Sequence, residues 1–147
     1  MTGTAATIAK EFLAVVWDSD PPDDENLLRA LDKLLSRSYE VPFANCAEED
    51  GEPPVTDGPA LFQAVAQRFP NFGMYPVADP LASIEDDKML ACAVDDIADI
   101  TKDLREVIWR DEHLGSDDAA WCFRLLYFHW ARHARELGLY LHSRQFG

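Results

Sequence analysis

Two histidines four residues apart, in His129-Trp130-Ala131-Arg132-His133, are the first candidates for chemistry in this chain. Upstream lies an acidic run, Asp95-Asp96-Ile97-Ala98-Asp99-Ile100-Thr101-Lys102-Asp103. Histidines at i and i+4 project from one face of a helix and can chelate zinc, iron or manganese. On a helix through the acidic run, Ile97, Leu104 and Ile108 centre the apolar stripe, and Asp96, Asp99 and Asp103 fall on a common flank. Facing flanks would bring Asp96, Asp99, Asp103, His129 and His133 together as ligands of a divalent metal, with Glu136 nearby. The competing expectation is a polar network joining two helices, the carboxylates taking hydrogen bonds from imidazoles or from Arg132 and Arg135. Asp95 points almost opposite the core and is expected in solvent. Known metal motifs fit poorly: the Glu-x-x-His pairs of di-iron bundles are absent, and Trp130 stands where H-E-x-x-H needs its general base. Asp95-Asp96-x-x-Asp99 matches the magnesium motif of prenyl-diphosphate enzymes only formally, in a chain about half their length.

Those residues need two long helices. Leu90, Ala93, Val94, Ile97, Ile100, Leu104, Val107 and Ile108 predict one from Asp86-Asp87 to about Arg110. Gly115 suits the turn that follows, and Ala119, Phe123, Leu126, Trp130, Ala134, Leu137 and Leu141 predict another from Asp117 to about Leu141. Trp121, Leu125 and Phe128 make its first half apolar nearly all round, so Trp121 and Phe128 are candidates for an interaction surface. Earlier helices are expected over Thr4–Trp17, from Asp23 or Asp24 with a Leu27, Leu28, Leu31, Leu34, Leu35 stripe, and from Asp57-Gly58-Pro59 to Pro70. Residues 44–57 read as a mobile acidic loop, and Asn71 to Leu81 as an ordered connector on the core. The fold class is thus all-α: a single domain of about five helices in an irregular bundle, its C-terminal helix central.

With 27 acidic against 13 basic side chains, the chain carries a net charge of −14, which argues against nucleic acid or an anionic membrane as partner. The N-terminus lacks the pattern of a signal peptide, and no apolar stretch reaches membrane length. Cys46, Cys92 and Cys122 form no C-x-x-C pair, so a cytoplasmic protein with reduced thiols is expected. There is no G-x-S-x-G and no glycine-rich phosphate loop.

The Asp95–Leu104 run resembles the most distinctive motif of a bacterial family, domain of unknown function five-zero-six-three. Tyr75-Pro76-Val77-Ala78-Asp79-Pro80 is similar to the segment preceding that motif, and His129-Trp130-Ala131-Arg132-His133 followed by His142 to its C-terminal signature. Thr101 and Pro76 stand where the family has aromatics. The resemblance implies a small, mainly helical bacterial domain and brings no activity with it.

Two functions follow as expectations. The favoured one is a non-catalytic protein-binding or accessory module, with a protein partner or a second copy of itself; an inhibitor that covers a basic toxin surface is one version. The alternative is a metal-dependent hydrolase using the Asp/His site between the helices. No cofactor is called for beyond that possible divalent metal.

Overall fold

The computed structural model describes residues 2–147, with six α-helices and one two-stranded sheet. Helix α1 (Thr4–Trp17) and helix α2 (Asp24–Arg37) pack on each other through Ile8, Phe12, Val16, Leu27, Leu31 and Leu34, all buried. Asp23 caps α2 by accepting from the Asn26 amide at 2.8 Å. A 3₁₀ turn (Ser38–Glu40) and an irregular stretch lead to helix α3 (Gly58–Arg68), where Asp57 caps and Pro59 takes the first turn. Residues 41–57 are pinned to the body at several points. Arg124 donates to the carbonyls of Val41 and Pro42, and the Ala47 amide donates to Asp118 at 2.9 Å.

Strand β1 (Met74–Val77) pairs antiparallel with strand β2 (Met89–Cys92), Tyr75 opposite Ala91. Helix α4 (Ala93–His113) follows directly, so the helix expected from Asp86 begins seven residues later. Leu90 continues the helical stripe in sequence yet lies on the hairpin, exposed. The cause is non-local. Met74-Tyr75-Pro76-Val77 is extended, because the residue before proline avoids the helical region, and it offers a ladder to Met89–Cys92.

The last helix is also interrupted. Helix α5 (Ser116–Leu125) and helix α6 (Tyr127–Phe146) meet at Leu126, with no proline or glycine there. The indole Nε1 of Trp130 donates to the Phe123 carbonyl at 3.2 Å, so a side chain enters the helical hydrogen-bond ladder. Five expected helices therefore become six. Gly115, at φ 102°, makes the sharp entry into α5, a conformation other residues avoid.

Helix α4 packs against α1, α3, α5 and α6, and α6 also packs against α2. Trp130 of α6 and Ile97, Ile100 and Leu104 of α4 are fully buried in one continuous core. Among the described residues, no helix is long and apolar enough to cross a membrane.

Candidate metal centre

Helices α4 and α6 run antiparallel, so rising positions on one meet falling positions on the other. Asp96 and Asp103 stand about 10.5 Å apart along α4, at 1.5 Å per residue, and His129 and His133 about 6 Å apart along α6. Both rings therefore fit between the outer aspartates, with Asp99 in the middle. His133 Nδ1 lies 2.7 Å from Asp96 Oδ1, and His129 Nδ1 lies 2.7 Å from Asp103 Oδ2. The outward-facing nitrogens approach one shared oxygen: Asp99 Oδ2 is 3.0 Å from His133 Nε2 and 3.9 Å from His129 Nε2. All five residues singled out in the sequence are brought together.

They divide by depth. The Asp96 and Asp103 side chains are 3% and 9% exposed, whereas Asp99 is 30% exposed. Asp96 is held a second time, because its other oxygen accepts from the phenol of Tyr75. That ring stacks on Tyr140 of α6 at 4.6 Å between centroids, so hairpin, α4 and α6 all position Asp96. Asp95 is exposed, as expected. Its carboxyl sits beside Asp99, and burial together with that neighbouring charge raises its pKa.

The protonation pattern follows from this geometry. Burial alone would lower the pKa of His133, but the Asp96 and Asp99 carboxylates on its two nitrogens more than reverse this and raise it to about 10. The ring is then an imidazolium donating at both ends. The hydrogen bond from His133 holds the Asp99 carboxyl below the usual range, while burial pushes Asp103 up despite its bond to His129. In the tautomer that donates Nδ1–H to Asp103, the neutral form of the His129 ring presents its lone pair at Nε2.

Such an arrangement can do one of two things. It can hold a proton between Asp96 and Asp99, or it can exchange that proton for a metal ion. One ligand atom each from Asp99, His129 and His133 lie within 4.8 Å of one another. The Asp99–His133 and Asp99–His129 separations, 3.0 and 3.9 Å, bracket the roughly 3.3 Å ligand–ligand edge of a tetrahedral shell with bonds near 2.0 Å. Asp96 and Asp103 then orient ligands instead of supplying them, each accepting the Nδ1–H of a histidine whose Nε2 faces the ion. The arginines proposed as alternative partners are engaged elsewhere: Arg132 with Glu136 at 2.7 Å, Arg135 with the Tyr127 hydroxyl at 2.9 Å.

Tyr75 is the participant that periodicity alone does not reveal. Its only signal in the sequence was membership of a motif resembling the same family as the aspartates and histidines. Of the interaction-surface candidates, Phe128 is 76% exposed, whereas Trp121 is half-buried with the Arg110 guanidinium over its ring.

The fold and cluster thus define a small helical protein with a carboxylate–histidine centre between its two longest helices. Among solved structures, protein BF1032 from Bacteroides fragilis is similar, with a TM-score of 0.74 at 18% sequence identity, over 98% of this chain and 91% of that one. At that identity the likeness establishes the fold alone. No family model and no curated protein matches the chain.

Proposed function

We propose that the chain binds one divalent transition-metal ion through His129 Nε2, His133 Nε2 and Asp99 Oδ2, and uses it to activate water for hydrolysis. The observation that carries this is the double orientation of the rings. Both Nδ1 atoms are fixed on buried carboxylates, and both Nε2 atoms point toward Asp99. Electrostatics favours a cation there: the four carboxyl groups of Asp95, Asp96, Asp99 and Asp103 outnumber the two imidazoles among them. Two histidines and one carboxylate make three protein ligands, the number typical of catalytic sites, where structural zinc takes four. The outer side is open, with His129 38% and Asp99 30% exposed, so water and a substrate have access to the ion. The motifs that resemble family five-zero-six-three contribute Tyr75, Asp96, Asp99, Asp103, His129 and His133, so that likeness and the cluster coincide.

The test is metal content in protein prepared without chelator or histidine tag, measured by elemental analysis. One equivalent in the wild type, lost in His129→Ala and Asp99→Ala variants that still fold, is the expected result. A metal-free wild type that takes up no zinc, iron(II) or manganese on titration refutes the proposal. A second reading, a protein-binding module, is supported by Tyr39, Phe43, Leu125 and Phe128, all exposed apolar side chains near the α5–α6 junction.

A further inference from the structure

On the face of α4 neighbouring that of the metal cluster lies a cleft of about 720 Å³, walled by Trp17, Leu61 and Trp109 and edged by Pro53 and Pro54. Its volume falls in the usual range for small-molecule sites, roughly 300–1,000 Å³. Two cations line it, Lys102 and Arg105, spaced i,i+3 so that both project from one face of α4. Among the described residues, Arg105 is the one guanidinium without a hydrogen-bond acceptor; the others hold carboxylates, carbonyls or a hydroxyl. Its guanidinium lies over the Trp17 ring, 5.2 Å from the guanidinium carbon to the centroid. Lys102 forms no ion pair either, in a chain where carboxylates outnumber cations two to one.

The two carboxylates at the cleft are already committed. Glu106 takes the Arg110 guanidinium at 3.0 Å and the Cys122 thiol, and Asp57 accepts the Ala60 amide at 3.0 Å as the cap of α3. Neither turns toward Arg105. Arg105 stays solvent-accessible at the mouth of the cleft, and partial burial lowers its pKa.

We propose that this cleft binds a small organic anion, an apolar or aromatic body carrying a carboxylate or phosphoryl group. The guanidinium fork takes the anionic head, Lys102 adds a second charge, and Trp17, Trp109 and the prolines cover the body. This site is independent of the metal centre.

Calorimetric titration of the full chain tests it, with phenyl phosphate, benzoate, inorganic phosphate and benzyl alcohol as probes. One site per chain is expected for phenyl phosphate or benzoate, and whichever binds tighter identifies the head group. Arg105→Met and Lys102→Met, whose stems keep the packing, should each weaken that binding at least about tenfold, the usual worth of a charge-assisted hydrogen bond. Lys88→Met, on the β hairpin outside the cleft and carrying the same charge change, should leave it unaltered. Three results overturn the proposal: no saturable binding of either organic anion, inorganic phosphate or benzyl alcohol binding as tightly as the organic anions, or equal losses in all three variants. Unfolding of one cleft variant, read by circular dichroism, passes the decision to the other. If neither folds, Trp109→Leu takes their place, and unweakened binding there refutes the cleft as the site.

Discussion

The proton held between Asp96 and Asp99 makes a quantitative prediction for the metal-free protein. His133 has a pKa of about 10 in the folded chain, against 6.5 for an ordinary histidine. Between those values the folded state holds one proton more than the unfolded state, so stability falls as pH rises. The sign is that of a raised pKa: the contribution is fully present below pH 6.5 and is lost as pH climbs through about 10. The whole interval is worth about 5 kcal/mol at roughly 1.4 kcal/mol per pH unit. Solvent screening at the 21% of the side chain that remains exposed brings the expected loss to about 2–4 kcal/mol. The assay is urea unfolding at pH 6, 7, 8 and 9 with a chelator present, wild type beside His133→Gln. Glutamine can still bond one aspartate but carries no proton to lose. The wild-type advantage should shrink steadily across these pH values. Parallel curves for the two proteins would refute the double-donor imidazolium.

Two further perturbations probe the supports. Tyr75→Phe leaves a buried oxygen of Asp96 without its phenol partner, so stability should drop by about 1–2 kcal/mol. Zinc affinity, measured by competition with a chromogenic chelator, should fall about tenfold or more in the same variant, because the His133 orienter is loosened. Asp118→Ala removes at once the partner of Arg110 and the acceptor of the Ala47 amide, both 3.0 Å or closer. A loss of about 2–4 kcal/mol in urea unfolding is expected, together with faster amide exchange at Ala47.

Much of this fold was legible because helical periodicity is local. The stripes of α1, α2 and α3 and most of α4 are set by residues three and four apart, and the capping aspartates at 23 and 57 stand where the chain places them. Two features were not legible, each because the deciding partner lies elsewhere. Met89–Cys92 continues an apolar helical stripe, and only Met74–Val77, brought alongside by the packing of Tyr75 beneath Tyr140, makes it a strand. The interruption at Leu126 has no breaker residue, and its signature is an indole reaching back to a carbonyl. The cluster itself was legible as a set, since the wheel put three aspartates on one flank and two histidines on another. What the wheel could not supply was rank, meaning which carboxylates lie deep enough to orient a ring and which lies where an ion could sit.

That rank bears on why the centre has the composition it has. For joining α4 to α6, Asp96 with His133 and Asp103 with His129 would suffice, since each buried carboxylate already has an imidazole at 2.7 Å. Asp99 adds a third carboxylate on the two imidazoles, with Asp95 beside it, more than joining the helices needs. The bond from His133 favours the ionised Asp99, so a neutral residue at position 99 costs the metal-free fold some stability while sparing both 2.7 Å bonds that join the helices. A metal-binding network needs Asp99, among the described residues the one carboxylate within 4.0 Å of both Nε2 atoms. Asp99→Asn separates the two. A variant that still folds through both 2.7 Å bonds, somewhat less stable than the metal-free wild type and unable to retain an ion, is what a centre selected for binding requires. A variant that is less stable and still loads metal would place the centre's purpose in the helix join.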